Sequence, residues 1–503
     1  VNETPAPPAT SGSEPDDVRY EAVRGRDARF DGVFFTAVRT TGVFCRPSCP
    51  ATTPKRHNVS FYPSAAAAQA AGYRACRRCR PDAVPGSPEW NTRADTVARA
   101  MRMIADGVVD REGVGGLAAR LGYSARQAQR RLVAELGAGP AALARAQRAH
   151  TARVLLRTTA LPAAEIAFAA GFASVRQFNA TVRELYGTTP TGLRAADTAA
   201  AGRRAPLAGK AGVPLRLAFR GPYDAAGIFD YLQRRAIAGV EEVTGPPGAR
   251  TYRRTLRLPL GSGVVEVEES TGGRWLEARL HLTELRDLTT AAQRTRRLFD
   301  LDADPYAVAE RLSGDPVLGP LAAARPGLRS PGSVDPAELA VRAVLGQQVT
   351  VAAGRTLAGR LVAAYGEPLP QSLAGEAAAP GGGLTHLFPT AETLAGAPLT
   401  ELGMPEARRA TVRAVAAALA EGTVRLDPGA DRAEAEKELL AVRGIGPWTA
   451  GYIRMRALGD PDVLLEGDVA LRAAMRSRGL TPAGAAAWRP WRSYAMHHLW
   501  AAA

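Results

Sequence analysis

The sequence predicts a multidomain chain in which α+β and all-α units alternate: a small α+β unit, an all-α unit, a second α+β unit and a larger all-α unit. Three observations predict it. The chain has 503 residues, too many for one core at about 100–200 residues per domain. A repeat at an offset of 50 residues, matching Ser124 with Ser174 and Arg126 with Arg176, fills a helical stretch over 93–197. Strand-like runs over 213–285 then give way to helical periodicity from about residue 290.

Composition bounds the function. Hydrophobic residues make up 46% and charged residues 22%, which excludes a wholly disordered protein. No run of about 18 uncharged apolar residues occurs, so no membrane span is expected. The opening Val1-Asn2-Glu3-Thr4-Pro5 lacks a basic-then-apolar pattern, so no signal peptide is expected and the protein reads as cytoplasmic. The net charge is +15 and arginine supplies nearly all of it, the lysines being Lys55, Lys210 and Lys437. Residues 16–84 and 85–197 carry +6 each, against +5 for the whole of 198–503. Such a concentration points to a polyanion. A basic protein from an arginine-rich proteome that binds nothing remains the plain alternative.

The units follow from the composition shifts. Residues 1–15, rich in Pro, Ser, Thr and Ala, read as a disordered tail. Residues 16–84 form the first unit and 85–197 the helical second unit, with 82–90 as a loose junction. Residues 198–212 read as a linker, 213–289 as the α+β unit and 290–503 as the large helical unit, loosened at Gly375–Gly383.

The first unit contains all the cysteines, as Cys45-x3-Cys49 and Cys76-x2-Cys79. Two close pairs separated by a spacer suit one tetrahedral Zn(2+) site with four thiolate ligands. Such a site carries about −2, which Arg46, Arg74, Arg77, Arg78 and Arg80 can offset. Spacing alone leaves two readings open: a knot that staples a unit too small for its own core, or a site of chemistry. The flanks bear on this. Asp27 through Cys49, then Asn58-Val-Ser-Phe-Tyr62 and Ala71-Gly-Tyr-Arg-Ala-Cys76, closely resemble the zinc domain of the bacterial Ada alkylation-response family. That resemblance implies that Cys45 accepts a methyl group from a DNA methylphosphotriester, irreversibly, with Arg46 beside it against the DNA. No cysteine follows Cys79, so no second acceptor for O6-methylguanine is expected.

In the second unit each half carries a Gly-aromatic turn, Gly122-Tyr123 and Gly171-Phe172, followed by Ser-x-Arg-Gln. A helix, a glycine turn and a Ser-capped helix make a helix-turn-helix. Two copies joined by a long helix over about 141–157 resemble the AraC-type DNA-binding domain. The recognition helices are expected over about Ala125–Leu136 and Val175–Leu185. Arg126 and Gln127, with Arg176 and Gln177, are placed to read a major groove. A plain helical bundle is the alternative, and the doubled motif beside an Ada-like unit weighs against it.

In the α+β unit, strands are expected at 216–219, 253–260, 263–268 and 274–281, with a helix over 225–236. Beyond it, helices are expected at 291–299, 304–312, 336–364, 411–421, 434–442 and 449–458. Gly444-Ile445-Gly446 between the last two reads as a helix-hairpin-helix turn that can aim backbone N–H groups at a phosphate. Asp468 follows 22 residues after Gly446. This spacing, with Trp488 through Trp500, Pro222-Tyr223 and Gly346-Gln347-Gln348, resembles the HhH-GPD glycosylases of the AlkA type over about 213–503. The resemblance implies that Asp468 stabilises an oxocarbenium-like sugar and that Trp448, Tyr452, Trp491 and Tyr231 line a pocket for an everted base. Each of these aromatics could instead be core.

Two departures stand out. Gln348 takes the place of the family's wedge leucine, and Val469 that of an aromatic after the aspartate. Trp448 also occupies the place of the Schiff-base lysine of bifunctional members, so a monofunctional enzyme is expected. As a whole the chain resembles an Ada–AlkA fusion. The implied function is excision of 3-methyladenine and related bases, joined to methyl-triggered regulation of transcription. Double-stranded DNA, both alkylated and promoter, and RNA polymerase are the implied partners of a nucleoid-associated bacterial monomer. A transcription factor with an inactive glycosylase-like half, or an enzyme merely tethered by its N-terminal units, are the rival readings.

Overall fold

The computed structural model describes residues 14–76, 78, 79, 81, 96–201, 212–269, 272–373 and 383–502. Residues 1–13 of the expected tail, the junction 82–90, most of the expected linker 198–212 and of the loose stretch 375–383, and Arg77 and Arg80 lie outside the described residues. No helix among the described residues is long and apolar enough to cross a membrane.

The first unit opens with a helix, Glu14–Arg24, whose Ala22 and Val23 pack on Phe34. A four-stranded sheet follows, in the order β3-β1-β2-β4. Strands β1 (Phe35–Val38) and β2 (Val43–Cys45) form a hairpin that sets Thr36 opposite Cys45. The hairpin turns at Gly42, whose φ of 64° suits glycine. Strand β3 (Val59–Tyr62) joins β1, and β4 (Arg74–Ala75) runs parallel to β2. The sheet therefore delivers Cys45 and Cys76 from the ends of neighbouring strands.

The second unit is all helical. Its two halves repeat one design: Val108–Leu121, Gly122 and Ala125–Leu136, then Ala163–Ala169, Gly171 and Val175–Tyr186. Gly122 and Gly171 turn at φ 76° and 85°. The connecting helix, expected over 141–157, spans Pro140–Thr158. Ser64 Oγ of the first unit donates to Leu136 O at 2.9 Å, which ties the cysteine unit to the end of the first recognition helix.

The third unit is a five-stranded antiparallel sheet in the order β5-β9-β8-β7-β6, with Ala225–Arg235 as its helix. Strands β5 (Val213–Ala218), β7 (Thr251–Arg257), β8 (Ser262–Glu268) and β9 (Trp275–Leu282) fall within a few residues of expectation. The edge strand β6 (Glu241–Thr244) was not expected, because Glu-Glu-Val-Thr carries no apolar alternation. The core beneath the sheet continues through Leu288, Ala291, Leu298, Phe299 and Leu301 to Val334. The expected division at 289/290 therefore does not coincide with a break in packing.

The fourth unit is helical around two apolar clusters, one holding Val344, Leu361 and Ile453, the other Leu471, Trp488 and Leu499. Here one expectation fails. The single helix expected over 336–364 is two, Pro336–Leu345 and Val351–Tyr365. Gln348 sits between them at φ 57°, and Thr350 caps the second helix by accepting from Ala353 N. A Ser/Thr cap within an apolar helical pattern marks a restart that periodicity alone misses.

Phe299 joins the third unit's sheet to the helices after it. Its ring is fully buried, edge-on to Tyr252 at 5.7 Å and tilted against Phe229 at 5.6 Å. Phe299→Ala should lower the stability of this half by about 3–5 kcal/mol, read as an earlier thermal transition in calorimetry with the N-terminal transition in place.

Candidate functional site

The hairpin that organises the C-terminal half runs from Arg432–Leu440 to Pro447–Ala457. Gly444 turns at φ 91°, and a Cβ there would overlap Thr411 Oγ1. Glycine is therefore required twice over at this position. A Cβ on Gly446 would meet nothing within 4 Å, so its outer face is open. Ile445 between them is buried and anchors the turn. Pro447 starts the second helix, and Trp448 and Tyr452 follow one turn apart on it. Their rings stack at 5.3 Å and 6°.

Asp468 caps the helix Val469–Arg476, its Oδ1 accepting from Leu471 N at 2.7 Å. Two indoles also reach it. Trp448 Nε1 donates to Oδ2 and Trp500 Nε1 to Oδ1, each at 3.1 Å. The carboxylate is thus fixed at both oxygens in the lining of a cavity of about 1330 Å³. Tyr231, Gln348, Gly444, Gly446, Trp448, Tyr452, His497 and Trp500 share its lining.

One pocket expectation is corrected. Trp491 does not line this cavity. It is buried at the start of the last helix, Arg492–Ala501, with its ring edge-on to Tyr494 at 5.6 Å. Trp500, near the other end of that helix, takes the place expected for it. The spacing held a signal: His497 and Trp500 lie three residues apart, on one helical face, and their rings meet edge-on at 5.1 Å.

Gln348 is exposed in the turn between two helices. Its neighbour Gln347 ties that turn to the hairpin, donating to Gly444 O and Thr449 Oγ1, each at 3.0 Å. Val469 is 71% exposed and lines the cavity beside Asp468. Lys437 pairs with Glu434 on the surface, 78% exposed, so no amine approaches Asp468 from it.

On the recognition helices, Arg126 and Arg176 are exposed. Gln127 and Gln177 are exposed too, but their side-chain oxygens are engaged in capping. Gln127 Oε1 accepts from Ser124 N at 3.0 Å, and Gln177 Oε1 accepts from Ala173 N at 3.3 Å. Ser-x-x-Gln is a capping box, so the repeated motif first of all starts a helix. The amide N–H groups of both glutamines remain free of this capping.

Cys45, Cys49, Cys76 and Cys79 bring their sulfurs within 4.8 Å of one another. Four thiols packed this closely cannot all ionise by themselves. Hydrogen bonding with Cys49 pushes Cys45 up, while hydrogen bonding with Cys45 pulls Cys76 down. A dication removes that conflict, and an all-sulfur tetrahedral set fits zinc. Cys45 and Cys79 are buried and Cys49 and Cys76 half-buried, so exposure does not single out Cys45 as the reactive sulfur. Arg46 is held by Asp31 at 3.2 Å, and the same carboxylate takes Ser48 N at 3.0 Å.

Comparison with known proteins accords with this geometry. Residues 18–82 match the metal binding domain of Ada, 117–196 a helix-turn-helix domain and 214–335 the AlkA N-terminal domain. The chain is 53% identical over 488 residues to a Mycobacterium tuberculosis protein described as "probable bifunctional transcriptional activator/DNA repair enzyme AlkA", covering 96% of this chain and 95% of that one. It is 36% identical over 289 residues to DNA-3-methyladenine glycosylase 2 of Escherichia coli, covering 56% of this chain and 94% of that one. It is 47% identical over 89 residues to the Escherichia coli bifunctional transcriptional activator/DNA repair enzyme Ada, covering 18% and 24%.

The zinc site gives a test independent of activity. Elemental analysis of purified protein should find one zinc per chain, and Cys79→Ser should lose it. Strong chelation should melt the first unit, read as a lost thermal transition and lost strand signal in circular dichroism, because its short strands enclose little core.

Proposed function

We propose, for a chain that belongs to the family of bifunctional transcriptional activator/DNA repair proteins of the AlkA type, that its C-terminal half is a monofunctional glycosylase excising 3-methyladenine and related alkylated bases. The observation that carries this reading is Asp468, gripped by two indole N–H groups in the lining of a cavity that holds several aromatic rings. Alkylated purines are cationic and leave readily. The chain has to evert the base, hold it and stabilise the sugar left behind. Gln348 fills the stack, with the hairpin turn of Gly444 and Gly446 on the DNA backbone. Tyr231, Trp448, Tyr452 and Trp500 hold the base by stacking and cation–π attraction, about 1–2 kcal/mol per ring when desolvated. Asp468 faces the developing positive charge of the sugar. With Trp448 in the hairpin and Lys437 on the surface, the product is an abasic site.

For the N-terminal half we propose that Cys45 accepts a methyl group from a DNA methylphosphotriester. The sulfur–carbon bond forms as the bond from the methyl carbon to its ester oxygen breaks, leaving a thioether on the protein and a phosphodiester anion in the DNA. Bound zinc keeps sulfur nucleophilic at neutral pH. Arg46 neutralises the phosphate that arrives. The paired helix-turn-helix units then occupy a promoter, Arg126 and Arg176 reaching DNA from the two recognition helices and Gln127 and Gln177 through their amide N–H groups. RNA polymerase is the partner in activation, the protein acts as a monomer, and its place is the nucleoid. We take 16–84, 85–197, 213–289 and 290–503 as the working units.

Asp468→Asn should remove excision of 3-methyladenine by more than about tenfold, since the lost charge stabilisation is worth several kcal/mol, while binding to abasic DNA persists. Base release from methylated duplex measures this, and wild-type rates in the variant would refute the assignment.

Methylation of Cys45 should tighten promoter binding. Four thiolates around a dication carry about −2, and one thioether reduces that to about −1. A unit charge about 4 Å from a phosphate is worth roughly 4 kcal/mol at an effective dielectric near 20, and salt screens most of it. A residue of about 1.4 kcal/mol is still tenfold in affinity, largest at low salt. Titrations of promoter DNA with methylated and unmethylated protein across a salt series read this directly, with mass spectrometry locating the methyl group. Equal affinities throughout would leave the site a repair nucleophile only.

A further inference from the structure

The deep end of the base cavity is positively charged in an unusual way. Arg456 is buried, and its partners are all neutral oxygens: Pro331 O, Gly332 O and the hydroxyls of Tyr231 and Tyr452. Arg235 lies over the Tyr231 ring, 3.8 Å from its centroid. The two tyrosine hydroxyls meet at 3.2 Å. Glu241 and Glu338 on the flank pair with Arg254 and Arg342. His497, from the last helix, is held neutral by burial and by the charges of Arg456 and Arg235. Two guanidinium groups therefore line a cavity meant for a base that is itself often cationic, and neither pairs with the carboxylate of Asp468, which is held by Trp448 and Trp500 instead.

We propose that the Tyr452 hydroxyl, bonded to Arg456 and Tyr231, is the charge selector of the base cavity. Protonated, it leaves the deep end cationic and suited to uncharged bases. Ionised, with its proton released to water, it supplies the anion that a cationic base needs beside two guanidinium groups. The selector rests on the glycosylase reading above.

Which hydroxyl ionises follows from the surroundings. Burial raises Tyr452, but Arg456, Arg235, the Tyr231 hydrogen bond and Arg342 outweigh it and bring it down to about 8. Burial outweighs the same charges at Tyr231, which is raised. The pair thus contains one acidic hydroxyl and one ordinary donor. A cationic base entering the cavity favours the phenolate further, so its binding releases a proton, whereas an uncharged base does not.

Two measurements on the full-length protein test this. In an ultraviolet pH titration, one tyrosine should ionise near pH 8, ahead of the others, and Tyr452→Phe should abolish that step. Tyr231→Phe, which removes a hydrogen bond but no charge, should retain the step at a higher pH. In excision assays, the ratio of kcat/KM for 3-methyladenine to that for uncharged ethenoadenine should rise about tenfold between about pH 6.5 and about pH 9, and should be flat in Tyr452→Phe. Absence of an early tyrosine step, or a ratio independent of pH in the wild type, overturns the selector while leaving the glycosylase intact. Release of neither base by the wild type overturns the glycosylase reading and the selector together.

Discussion

A half-buried carboxylate needs donors, and the donors that Asp468 receives are the two indoles Trp448 and Trp500, with Leu471 N behind them. Much of the C-terminal half can be understood as the means of bringing these three groups together. Trp448 is delivered by a turn that only glycine permits at residue 444. Trp500 is delivered from the end of the chain by a helix whose other face packs into a core with Leu471 and Trp488. Gln347 clips the neighbouring turn to the same hairpin, so Gln348 and the carboxylate are held by one frame. Charge-assisted hydrogen bonds of this kind are among the stronger ones available, and they fix the direction of the carboxylate as well as its place.

The cysteine unit shows a different constraint. Its sulfurs are gathered by the ends of β2 and β4 and by two short loops, and four thiolates this close call for a cation to offset their charge. The unit is also a junction. Ser64 reaches Leu136 O at the end of one recognition helix, and Arg220 of the sheet domain donates to Asp31 O at 2.7 Å while Asp31 holds Arg46 beside Cys45. A change of charge at the sulfurs is therefore felt close to groups that touch two other units.

Much of this was readable in the sequence because it rests on short-range rules. The cysteine spacing, the Gly-x-Gly turn, the doubled Ser-capped helices and four of the five strands of the larger sheet are local patterns. What escaped was decided by packing. Trp491 and Trp500 stand in one aromatic run, and only the start of the helix at Arg492 determines which of them turns into the core. The capping role of Gln127 was legible too, since Ser-x-x-Gln is the signature of a capping box, but it was overlooked beside its place on a recognition helix. The helix over 336–364 looked continuous because its apolar period persists across a break set by Thr350 and the positive φ of Gln348. β6 escaped for the opposite reason, being held by its neighbour β7 with no pattern of its own. The arginine pair in the cavity lining was invisible, since Arg235 and Arg456 lie 221 residues apart.

The arginines also show why net charge is a blunt guide to function. The excess of +15 suggested DNA, yet many of these side chains work inside the protein. Asp106, 3% exposed, accepts from Arg297 at 3.1 Å and faces Arg111 at 3.4 Å and Arg294 at 3.8 Å. Its carbonyl takes Thr290 and Arg111, at the seam between the helical unit and the glycosylase half. Arg99 and Arg102 cross the same seam to Gly429 O and Pro428 O. Arginine suits this task because its planar fork can serve several carbonyls at once and stays charged when buried. The charge left free for a polyanion is consequently smaller than the sum, and Arg126, Arg130 and Arg176, exposed on the helices Ala125–Leu136 and Val175–Tyr186, are part of it. The composition that signals a polyanion partner thus also supplies the mortar between the units.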